Sequence, residues 1–127
     1  MSKPSDEWFT PRTMLAFFEG WDDPCQPGKQ DGLLRPWGDR TYVNPPYSRP
    51  LPWIQKAIIE AQQGKRVVML LRHDSSTEWW RMLHEAGAHF FAYIGRMRFS
   101  ESGHAPFPSV LVMLGNGVVE ASEGGKR

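Results

Sequence analysis

Apolar residues follow two different periods along the chain. From Leu51 the positions Ile54, Ala57, Ile58 and Ala61 recur at i, i+3, i+4, i+7. That is one face of a helix, with Pro52 in its first turn and Gly64 as its stop. Val67-Val-Met-Leu-Leu71 is instead an unbroken apolar run between Lys65-Arg66 and Arg72-His73-Asp74. A strand covered on both faces has this pattern. Asp74-Ser-Ser-Thr-Glu78 supplies caps for a helix over Glu78–Glu85, closed by Gly87. His89–Ile94 and Ser109–Leu114 read as strands, and Gly115-Asn116-Gly117 predicts a hairpin into Val118–Glu120. Upstream, Arg40–Asn44 has strand character that stops at Pro45-Pro46, where missing amide hydrogens forbid further pairing. Thr10-Pro11 reads as the cap and first residue of a helix through Met14, Leu15, Phe17 and Phe18, ended by Gly20. Nine of the eleven prolines lie in the first 52 residues, so that half is rich in loops. Strands alternating with helices, then a strand-rich end, predict an α/β sheet with an antiparallel edge. The 127 residues suit a single domain with an ordered core of about 7–120.

Composition narrows the class. With 40% hydrophobic and 13% aromatic residues the chain has the material for a packed core, which argues against disorder. The longest apolar runs are five residues, against about 20 needed to cross a bilayer. Met1-Ser-Lys-Pro-Ser-Asp-Glu7 has no apolar core, so no secretory signal is expected and the cytoplasm of a bacterial or phage-infected cell is the expected location. Cys25 is the sole cysteine, which excludes an internal disulfide and a cysteine-based zinc site. No cation adjoins it to activate the thiol, so a buried spectator is expected. His84, His89 and His104 have no ligand spacing, and no metal is expected. The net charge of +1 excludes a polybasic tail, although ten of the fifteen cations are arginine, the side chain best shaped for phosphates and bases.

The segment with chemistry is Asn44-Pro45-Pro46-Tyr47-Ser48, at the carboxyl end of a strand, where open α/β sheets bind ligands. Asn before Pro commonly opens a turn; two prolines between Asn and Tyr directly after a strand are a rarer arrangement. An exocyclic amine or carboxamide nitrogen is a poor nucleophile because its lone pair is delocalised. Carbonyl oxygens of Asn44 and of the Pro45 main chain, each about 3 Å away, would accept its hydrogens and free that lone pair. Proline aims its carbonyl with little entropy left to lose. Tyr47 offers a flat face for an extruded base, a contact of about 1–3 kcal/mol.

Asn44-Pro45-Pro46-Tyr47 resembles the [Asn/Asp]-Pro-Pro-[Tyr/Phe/Trp] motif of amino-methyltransferases that use S-adenosylmethionine. Further pieces extend the likeness: Glu7-Trp8-Phe9-Thr10-Pro11, Asp23-Pro24-Cys25, Asp31-Gly32-Leu33 with Trp37, Trp53–Ala57, Asp74–Thr77 with Trp79, Gly95–Phe99 and Ala105–Ser109. In this order they are similar to the phage-type DNA N-6-adenine methyltransferases. The resemblance implies a compact, pared-down Rossmann-like methyltransferase sheet with flanking helices. It also implies S-adenosylmethionine as donor and methyl transfer to N6 of adenine in DNA. Asn44, Pro45, Pro46 and Tyr47 are then catalytic. Asp23-Pro24 is the donor-binding acidic turn, Thr10-Pro11 a contact beside it, and Asp31 a partner for the adenosine part. Ser48, Arg96 and Arg98 face DNA. No Gly-x-Gly nest follows the first strand; Asp23-Pro-Cys-Gln-Pro-Gly28 takes its place.

Two other functions use the same tetrapeptide or fold: methylation of a protein glutamine, and nucleic-acid binding without catalysis. A homodimer that lends DNA contacts is a further expectation. His73-Asp74-Ser75 is better read as helix caps than as a hydrolase triad, and of Trp79 and Trp80 one is expected to pack while the other covers an edge.

Overall fold

The computed structural model describes residues 16–26, 31–92, 98–100, 103–104 and 108–115. Its elements are β1 (Arg40–Val43), α1 (Leu51–Gln62), β2 (Arg66–Arg72), α2 (Glu78–Glu85), β3 (His89–Ala92), β4 (Arg98–Ser100), β5 (Gly103–His104) and β6 (Ser109–Leu114). A four-stranded sheet has the order β1-β2-β6-β3, and β4 pairs with β5 separately. β1 runs parallel to β2, joined through α1, whereas β6 is antiparallel to both β2 and β3.

The predicted helices form for the local reasons anticipated. α1 starts after Pro50 with proline in its first turn, which needs no amide hydrogen there. Thr77 caps α2 by accepting a hydrogen bond from the Trp80 amide at 3.2 Å. Gly87 turns the chain away at φ +85°, a conformation glycine adopts without strain.

Alternation along β2 divides the core. Val67, Met69 and Leu71 face α1 and α2, where Trp53, Ile54, Ala57, Trp79 and Leu83 meet them together with Val43, Val110 and Val112. Each such fully buried side chain contributes about 1.5–3 kcal/mol. Val68 and Leu70 point to the opposite face beside Tyr42, covered by Phe18, Trp21 and Tyr47. Phe18 stacks on Tyr42 at 4.7 Å. Trp79 is buried while Trp80 is sandwiched between His73 and Phe90, the division expected for adjacent tryptophans. Cys25 lies in the core, as expected.

Antiparallel pairing is not confined to the edge strand β3. β6 is paired on both sides, by β2 and by β3, because its full register of six residues with β2 buries Val110, Val112 and Leu114. The expected strand Val118–Glu120 and the start of the helix at Thr10 lie outside the described residues. No helix among those described is long and apolar enough to cross a membrane.

Candidate active site

Opposed strand directions gather the functional segments on one rim. The ends that follow Val43 of β1 and Arg72 of β2 emerge beside the beginning of β6, since Arg72 pairs with Ser109. Asn44–Ser48 leaves β1 on this rim. Pro45 is buried, Asn44, Pro46 and Tyr47 are partly buried, and Ser48 is exposed. The Arg49 amide donates to the Pro46 carbonyl at 3.2 Å and closes the bend. Asn44 Oδ1 and Tyr47 Oη are both shielded from solvent. Burial, with a smaller effect from Tyr42, pushes the Tyr47 phenol well above its ordinary value and keeps it neutral. Its ring, expected to present an open face, packs against the Tyr42, Val68 and Leu70 cluster.

The acidic turn stands alongside. Asp22 forms a single parallel bridge with Thr41: its amide donates to Arg40 O at 2.9 Å and its carbonyl accepts from the Tyr42 amide at 2.8 Å. Asp23 and Pro24 therefore leave toward the same rim as Asn44. Both Asp22 carboxylate oxygens are taken by Arg35, at 2.8 and 2.9 Å, and one also by the Gly38 amide at 2.9 Å. The Arg35 guanidinium foremost holds the Asp22 carboxyl below its usual value, against a smaller burial effect. The Asp23 carboxyl is instead pushed up, first by burial and then by the charge of Asp22. Among the described residues no cation pairs with it.

A strap of residues 31–38 holds this turn in place. Gly32 lies flat on Pro24, so close that a Cβ there would sit 2.5 Å from the Pro24 carbonyl oxygen. The Trp37 indole donates to Gly32 O at 2.8 Å and stacks on Trp53. Asp31 is exposed, with Arg35 Nε 3.8 Å from its carboxylate.

Thr10, Pro11 and Arg96 lie outside the described residues, and Arg98 is placed only as the first residue of β4. The structure thus brings Asp23, Pro24, Asn44, Pro45 and Pro46 to one side of the sheet, with Tyr47 folded beneath. Sequence reasoning missed Asp22 and Arg35, which are 13 residues apart and share no periodicity. It also missed Arg72 and Ser109, paired across β2 and β6 on the face of Leu70. Arg72 Nε and Ser109 Oγ are buried without a hydrogen-bond partner among the described residues; the charged end of the apolar run was the only hint of the former. An open hollow of about 450 Å³, lined by Gly20–Asp22 and Gly38–Arg40, lies at the start of β1, away from the motif. Among the described residues no cluster of His, Cys, Asp and Glu is placed to hold a metal ion.

Comparison with known proteins supplies the context for this geometry. A DNA N-6-adenine-methyltransferase of Escherichia phage T1 is 33% identical over 93 residues, covering 59% of this chain and 39% of that protein. A DNA N-6-adenine-methyltransferase of Haemophilus phage HP1 (strain HP1c1) is 45% identical over 56 residues, covering 42% of this chain and 32% of that protein. The matches thus span well under half of these relatives. No solved structure matches the chain. Residues 26–122, more than half of the chain, match the family model described as DNA N-6-adenine-methyltransferase (Dam), and the chain belongs to that family.

Proposed function

We propose that the protein transfers a methyl group from S-adenosylmethionine to the N6 amine of adenine in DNA. The observation that carries this reading is the parallel bridge between Asp22 and Thr41, which sends the Asp23-Pro24 turn and the Asn44–Tyr47 bend to one rim. Family membership supports the same reaction class. The sheet, with both helices packed on one face, is read as a pared-down Rossmann-like methyltransferase sheet.

The residues fit such a donor. S-adenosylmethionine, when bound, supplies a methyl group on a positively charged sulfur. Asp23, a partly buried carboxylate with no paired cation among the described residues, suits a cationic ligand. Pro24 lies directly against Gly32, which leaves no room for a side chain at position 32. Asp31 and Thr10-Pro11 complete the proposed donor side.

Asn44 and the Pro45 main chain act on the acceptor. Their carbonyl oxygens accept the hydrogens of the exocyclic amine and draw its lone pair out of conjugation, an interaction strongest in the transition state. Tyr47 supports the bend from beneath, and its ring meets the base only on leaving the cluster of Tyr42, Val68 and Leu70. Because Asn44 Oδ1 and Tyr47 Oη are covered in this structure, an incoming nucleoside has to displace what covers them. Ser48, exposed on the bend, and Arg96 and Arg98 are the proposed contacts to the DNA backbone.

The test is incubation with unmethylated DNA and methyl-labelled donor, followed by nucleoside chromatography. Label in N6-methyladenine is the expected result. Label in protein glutamine, or donor binding with no transfer to DNA, would overturn the reading.

A further inference from the structure

We propose that Arg35 is a positioning residue for the donor side: by occupying both carboxylate oxygens of Asp22, it fixes the Asp22–Pro24 turn and leaves Asp23 as the acidic group that meets the donor. This rests on the functional reading above, and it assigns a role to a residue that touches none of the proposed reacting groups and reaches the donor side only through Asp22 and Asp31.

The geometry separates two adjacent carboxylates. Asp22 receives two charge-assisted hydrogen bonds from one planar guanidinium, a fork that lysine cannot reproduce. A third bond, from the Gly38 amide, completes its shell. Its backbone is meanwhile bonded to β1 on both sides, so the side-chain clasp and the bridge orient one short segment together. Asp23 follows directly, and its carboxylate has no cation of its own among the described residues. Arg35 is itself steadied by accepting partners, Asp31 at 3.8 Å and the Pro36 carbonyl at 3.1 Å. Loss of the guanidinium would leave the Asp22 charge unbalanced beside Asp23, which favours rotation of the turn and protonation of one of them. Charge alone does not suffice: the fork also sets the angle at which the segment leaves the bridge.

Calorimetric titration of the full chain with S-adenosylmethionine, alongside steady-state kinetics, tests this. Arg35→Ala is expected to weaken donor binding about tenfold while turnover at saturating donor stays near that of the unaltered protein. Arg35→Lys restores the charge but not the fork, and is expected to recover only part of that loss. Asp22→Asn keeps an acceptor for Arg35 and guards against a variant that fails to fold; its donor affinity is expected to fall less than that of Arg35→Ala. Unchanged affinity in Arg35→Ala, or a fall in turnover with affinity intact, would overturn the positioning role. Full rescue by Arg35→Lys would overturn the fork. If the unaltered protein binds no donor, the functional reading itself fails, an outcome distinct from a failure of Arg35 alone.

Discussion

Lys65 and Glu60 meet at 2.6 Å beneath the start of β2, with the Glu60 carboxylate only 5% exposed. Lys56 holds the other carboxylate oxygen at 3.0 Å, and Lys65 also donates to the Trp37 carbonyl at 2.8 Å. The end of α1 is thereby tied to the strap through a buried acid. Glu60→Ala leaves two part-buried lysines without their shared counter-charge. A loss of about 1–3 kcal/mol is expected in urea unfolding, with S-adenosylmethionine affinity of the remaining folded protein unchanged.

Acid should destabilise the fold, chiefly through two part-buried carboxyls. Burial alone would raise Glu60, but hydrogen bonds from Lys65 and Lys56 outweigh it and the net direction is down from 4.5. Asp22 is lowered from 3.8, chiefly by Arg35. A depressed folded value stabilises above the unfolded value and loses that contribution as pH falls through the folded one. Asp23 is raised above 3.8 and acts in the opposite sense, losing its contribution as pH rises. Asp74, exposed and lowered chiefly by the Ser76 hydroxyl, acts in the same sense as Asp22 and Glu60. With three groups against one, unfolding free energy measured from about pH 5 to pH 2 should fall. Asp22→Asn with Glu60→Gln should flatten that slope, and an unaltered slope would show that other carboxyls control it.

Gly32→Ala probes the close approach of the strap. An added Cβ meets the Pro24 ring and its carbonyl, neither of which is a flexible side-chain end. Backbone must move, at a cost of about 1–3 kcal/mol in thermal or chemical unfolding. Because the displaced residue is Pro24, donor affinity should weaken as well. Wild-type affinity in this variant would separate Pro24 from the donor site.

Asn44→Ala removes one of the two proposed acceptors. Turnover is expected to fall about 10²–10³-fold with donor binding retained, as for loss of a group needed mainly in the transition state. Labelled-donor kinetics on DNA report the first quantity and calorimetry the second. Turnover like that of the unaltered protein would count against amine activation by Asn44.

What the sequence made legible follows from the range of the forces involved. The limits of α2, Glu78–Glu85, and of β6, Ser109–Leu114, match expectation because caps and apolar runs are local signals. The place of β6 inside the sheet depends on pairing with β2, across more than thirty-five residues of chain, for which no local pattern exists. Tyr47 reads as an open platform in sequence, yet the face bearing Val68 and Leu70 draws its ring inward. The clasp of Asp22 by Arg35 was illegible for a related reason: neither residue belongs to a periodic element, and only the folded strap brings them together.

β1 and β2 run one way and β6 the other, so the bends around Asn44, His73 and Ser109 crowd a single border of the sheet, while the knot of Glu60 with its two lysines occupies the far border. Alterations to the knot are therefore expected to change how much heat the molecule survives before they touch the proposed chemistry. The crowded border, with Pro45 buried and Pro24 pressed on Gly32, tolerates little alteration of its own.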